Sequence, residues 1–120
     1  MLFVVAESTS SPTITESSGN NGHRRIVHSS LVVRTGSSPD LSCSTASVWD
    51  YYPYSGSPHI TIYSGGKQSP DLDARFRLDL AGCQVNRCSL TIDNVHRTDA
   101  GRFVCVQSQS TNYLSLVVLG

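Results

Sequence analysis

The chain has 120 residues, enough for one domain and a tail. Nine Lys and Arg balance nine Asp and Glu, so no basic surface marks a nucleic-acid or acidic-membrane partner. Four cysteines suggest two disulfides and an oxidising compartment, and the apolar runs are too short to cross a membrane as helices.

Met1–Ala6 is apolar but too short, and lacks the basic start, for a signal-peptide core. The chain therefore reads as a domain cut from a larger ectodomain. Val4 and Val5 fit an edge strand. Residues 7–22 have a Ser/Thr/Pro composition and bury too little to offset their ordering entropy. Residues 1–22 are expected to be a largely flexible, stalk-like lead, open to O-glycosylation, with one folded domain over 23–120.

From Arg25 the pattern turns to short β-prone runs bounded by turn residues. Ile26-Val27 and Leu31-Val32-Val33 are expected as two strands. Thr35 to Ser38 is a turn. Leu41 and Cys43 alternate with Ser42, so both face a core. Val48 to Tyr52 and Ile60 to Tyr63 follow as strands, separated by the Pro53–Pro58 turn cluster. Phe76, Leu78 and Leu80 alternate, then Leu90 and Ile92, then Phe103 and Cys105, and finally Leu114, Leu116 and Val118. No helix-length period interrupts them. The expected fold class is all-β, with two packed sheets.

The run Asp99-Ala100-Gly101-Arg102-Phe103-Val104-Cys105, with Cys43 and Trp49 ahead of it, resembles the Cys…Trp…Cys frame of a V-type (V-set) immunoglobulin domain. Further spacings are similar to those of antibody light-chain variable domains. Gly36 to Cys43 is seven residues, Trp49 to Tyr63 fourteen, and Tyr63 to Arg75 twelve. Ile60-Thr61-Ile62-Tyr63, Ala74-Arg75-Phe76 and Leu90-Thr91-Ile92 look like the matching light-chain segments. The resemblance implies a two-sheet Greek-key sandwich with strands A, A′, B, C, C′, D, E, F and G in the order just read. It implies a Cys43–Cys105 bridge, a core of Leu41, Trp49, Leu90, Ile92 and Phe103, and a salt bridge between Arg75 and Asp99.

Four departures from that pattern bear on function. Only five residues separate Cys43 from Trp49, which leaves open that Trp49 lies in a loop and Tyr51 or Tyr52 fills the core. Phe103 stands where a tyrosine usually donates a hydrogen bond, an expected loss of about 1 kcal/mol. The Phe-Gly-x-Gly of antibody strand G is absent. Cys83 and Cys88 are additional. They flank Gln84 to Arg87, read as a hairpin tip whose paired strands suit a disulfide. A zinc site with His96 as third ligand is the alternative, though no second Cys/His pair supports it.

No Gly-x-Ser-x-Gly, His-Glu-x-x-His or phosphate-loop pattern occurs, so no enzyme, catalytic residue, metal or cofactor is expected. Recognition remains. The loop between B and C is minimal, and the one between F and G, Gln107 to Asn112, is short and polar. A sheet face is therefore the expected binding surface. Strand alternation turns Asp50 and Tyr52 outward on C, Thr61 and Tyr63 on C′, Val104 and Val106 on F, and Tyr113 on G. Ile60 is added to this interface by the resemblance, against its parity. No Asn-x-Ser/Thr sequon covers the face. The expected partner is a protein, another immunoglobulin-type domain or a second copy, with no nucleic acid and no membrane insertion. The resemblance implies an extracellular domain of a cell-surface receptor or adhesion molecule, such as the receptor tyrosine kinases of early-branching animals. The alternatives are an innate immune V-domain for microbial ligands and a cytosolic muscle-type structural domain.

Overall fold

The computed structural model describes Glu7–Ser8, Thr13–Glu16 and residues 25–120. Val4 and Val5 lie outside the described residues. Two sheets pack face to face. The strands are β1 (Glu7–Ser8), β2 (Thr13–Glu16), β3 (Arg25–Arg34), β4 (Asp40–Ser42), β5 (Val48–Pro53), β6 (Ile60–Ser64), β7 (Lys67–Gln68), β8 (Phe76–Leu78), β9 (Ser89–Ile92), β10 (Gly101–Val106) and β11 (Ser110–Leu119). The front sheet runs β1-β3-β11-β10-β5-β6-β7, with β2 also on β3. The back sheet is β4-β9-β8. Among the described residues no helix is long and apolar enough to cross a membrane.

The first two expected strands are one. The β-branched and apolar residues from Ile26 to Val33 are interrupted only by His28-Ser29-Ser30, which contain neither Gly nor Pro. The strand therefore continues, and β3 pairs in parallel with β11 over ten residues without a register shift. Two short pieces of the lead, β1 and β2, pair antiparallel with β3. Because all of β3 belongs to the front, β4 is an edge of the back sheet. A cleft of about 220 Å³ opens between β3 and β4, with Leu31, Leu41 and Trp49 on its walls.

The core lies between the sheets. Trp49, Tyr51, Ile62, Phe103 and Leu116 face inward from the front, and Leu41, Phe76, Leu90 and Ile92 from the back. Trp49 and Tyr51 are both buried, so the tryptophan is a core residue and Tyr51 joins it. Burying a side chain of this size contributes roughly 2–3 kcal/mol each. Cys43, just after β4, is bonded to Cys105 on β10 and ties the sheets together.

Two local readings change. Leu80 continues the alternation of Phe76 and Leu78, but it begins a helical turn, α1 (Leu80–Cys83), rather than extending β8. Asp79 caps that turn, its carboxylate accepting from the Gly82 N–H at 3.0 Å. Cys83 and Cys88 are bonded to each other across this turn, not across paired strands. Tyr63, expected outside, is buried. Trp49 pairs with Tyr63 and Asp50 with Thr61, so Ile62 is an extra residue in β6. This bulge turns Ile62 and Tyr63 both inward.

Candidate recognition face

The pole of the sandwich from which β10 starts is held by Asp99. Its Oδ2 accepts from Arg75 Nη1 at 2.7 Å and from the His96 backbone N–H at 2.7 Å, and its Oδ1 accepts from Arg75 Nη2 at 2.8 Å. The Asp99 side chain is 7% exposed and that of Arg75 24%. Burial pushes the Asp99 carboxyl up, but the bonds from Arg75 and His96 outweigh it and hold the group below the usual carboxylate range. The Arg75 guanidinium is raised in turn, chiefly by its bonds to Asp99.

The hydrogen bond that Phe103 cannot make is supplied from the neighbouring strand. Tyr51 stacks on Phe103 with ring centroids 4.5 Å apart, and its hydroxyl donates to the Asp99 carbonyl at 2.7 Å. Phe103 and Tyr51 are register partners on β10 and β5. Burial, then the Asp99 charge, push the Tyr51 phenol well above its ordinary range, so it remains a donor. Gly101 makes room for this ring, since a Cβ there would lie 2.8 Å from Tyr51 Cε1. The expected loss at Phe103 is therefore offset. Sequence reading named Tyr51 as a core candidate but missed this role, because the reach of its hydroxyl depends on the β5–β10 register.

The outer face of the front sheet follows from register. One row crosses His28, Tyr113, Val104, Asp50 and Thr61; the next crosses Ser30, Ser115, Arg102 and Tyr52. Tyr52 is 44% exposed and Tyr54 57%. Val104, Val106, Tyr113 and Asp50 are half-buried. The rings are already ordered. His28 stacks on Tyr113 at 5.1 Å, His59 on Tyr52 at 4.7 Å, and the Arg102 guanidinium lies 5.6 Å from the Tyr113 centroid. Tyr54 donates to Ser115 Oγ at 3.3 Å. Tyr52, Pro53, Tyr54, Arg102, Val104 and Tyr113 line a shallow depression of about 360 Å³. Among the described residues Arg102 has no acidic partner, and Asp50 accepts one bond, from Thr61 Oγ1 at 2.8 Å.

Ile60 does not belong to this face. It pairs with Tyr51, whose side chain points inward, and cross-strand partners share a side. It is half-buried against the core.

No protein-family model matches the sequence, and no curated protein matches it. Solved structures do. An extracellular domain of the voltage-gated sodium channel beta4 subunit, a parallel homodimer with a role in cell–cell adhesion, superposes with a TM-score of 0.57 at 20% identity. The match covers 77% of this chain and 85% of that one. A second sodium channel beta-subunit structure, from a study of multimeric cell-adhesive interactions, gives 0.56 at 18% identity, covering 77% and 92%. With two disulfides and two antiparallel-rich sheets, the chain has the fold of a V-type immunoglobulin sandwich.

Proposed function

We propose that this domain is an extracellular recognition module of a cell-surface adhesion molecule or receptor, and that it binds a second copy of itself through the outer face of the front sheet. The carrying observation is the ordered aromatic and apolar surface of Tyr52, Tyr54, Val104 and Tyr113, which has no covering element among the described residues. Contiguous apolar surface of this kind marks interaction sites. Its rings are pre-stacked, so binding orders few side chains. A sheet of this breadth offers the ~1,200 Å² typical of a specific contact. Sodium channel beta subunits with the same fold support the adhesion reading; they lend none to a kinase attachment. The domain acts by binding, and no catalytic step is assigned to it.

Sedimentation over a concentration series tests the reading. The wild type is expected to dimerise, and Val104→Asp to weaken dimerisation without unfolding, because the charge is costly only once buried. A wild type monomeric at millimolar concentration would overturn self-association. A Val104→Asp variant that dimerises normally would move the interface off this face.

A further inference from the structure

We infer that the self-contact is two-fold, with its axis along the diagonal from Val104 to Tyr52, and that each copy's Arg102 engages the partner's Asp50. This rests on the self-association proposed above and specifies its geometry.

The register of β5 and β10 places four side chains at the corners of a rectangle. Arg102 pairs with Tyr52, and Val104 pairs with Asp50. Val104 and Tyr52 therefore occupy one diagonal, and Arg102 and Asp50 the other. All four alternate outward from the buried Trp49, Tyr51, Phe103 and Cys105. The apolar diagonal suits a dimer axis, because residues on an axis meet their own copies. The charged diagonal is self-complementary, because an axis lying in the contact plane exchanges its two ends.

The dimensions agree. Strands are about 4.8 Å apart, and a two-residue step is about 6.8 Å. Rotation about the Val104–Tyr52 diagonal then brings the partner's Asp50 to about 3 Å, in projection, from the Arg102 backbone, displaced toward Tyr113. That is the side on which the guanidinium already lies, against the Tyr113 ring. Strands of the two copies would cross at about 70°, close to the orthogonal class of sheet packing. Within one chain Arg102 has no carboxylate partner among the described residues, and Asp50 keeps acceptor capacity beyond the single bond from Thr61. Two charge-assisted pairs form per dimer, one on each side of the apolar centre.

The test is a charge exchange read by sedimentation, with melting temperature checked for each variant. Arg102→Glu and Asp50→Arg should each weaken self-association about tenfold or more, since each creates two like-charge contacts. An equimolar mixture of the two single variants should regain dimer, because the mixed pair restores both attractive contacts. The double variant should dimerise near the wild-type level. A wild type that dimerises while the mixture and the double variant stay as weak as the single variants would overturn this geometry and leave self-association standing. A single variant as strong as the wild type would also overturn it. A monomeric wild type would overturn both.

Discussion

The outer faces of the two sheets are built from the same alternation but end in different chemistry. On the back, the exposed row is Asp40, Thr91 and Arg77. Arg77 holds Asp93 through two bonds, at 2.5 and 2.9 Å, and Thr91 donates to Asp40. The charges there are already satisfied within the chain, and the rest is Ser42 and Ser89. On the front, the rows carry Tyr113, Tyr52 and Val104, and the cation among them rests on a ring instead of a carboxylate. A face whose polar groups are mutually satisfied gains little from a partner. A face of pre-stacked rings with separated, unlike charges gains both burial and pairing.

That contrast can be pressed at three points. The largest effect belongs to Asp99, which serves both sheets through Arg75 beside β8 and Tyr51 on β5. Asp99→Ala leaves the Arg75 charge partly buried and should cost about 3 kcal/mol in denaturant unfolding. The same group sets an acid limb. Its folded pKa lies below the unfolded value, so its stabilisation is complete above the ordinary carboxylate range. It should fade as pH falls through the folded value, and the variant should lack that limb. Tyr51→Phe comes next. It removes the bond to the Asp99 carbonyl while keeping the stack on Phe103, and should cost about 1 kcal/mol. The smallest effect belongs to the back. Arg77→Ala breaks an exposed pair and should leave both melting temperature and self-association unchanged. A back-face variant that abolished dimerisation would reverse the assignment of faces.

Much of the frame was readable because its motifs and their joint spacing resemble those of V-type immunoglobulin domains. The resemblance to V-type domains implied the Cys43–Cys105 bridge and the Arg75–Asp99 pair, while the short interval from Cys43 left the place of Trp49 open. The outward direction of Asp50, Tyr52, Val104 and Tyr113 came from parity alone. Parity failed at Tyr63, where Ile62 bulges and Tyr63 turns inward; at Ile60 parity held and the resemblance did not, since the inward Tyr51 takes Ile60 to its own side. Nothing in a period-two pattern reports such an insertion. Leu80 kept the strand period, yet Asp79 capped a helical turn there, because a local hydrogen bond prevailed over alternation. Continuity of β3 was hidden for a similar reason, since His28-Ser29-Ser30 is equally compatible with a break. The Tyr51 hydroxyl needed the β5–β10 register, a long-range fact that no local window contains.

The ten-residue parallel ladder between β3 and β11 gives the domain a direction of mechanical strength. In a parallel pair, the incoming end of β3 at Arg25 and the outgoing end of β11 at Leu119 lie at opposite ends of the ladder. Tension applied at those two points slides one strand past the other, loading all the bonds between them at once instead of opening them singly from an end. A module that holds two cells together is pulled along its own chain. Under the adhesive role proposed above, the longest uninterrupted pairing, that of β3 with β11, carries such a pull as shear.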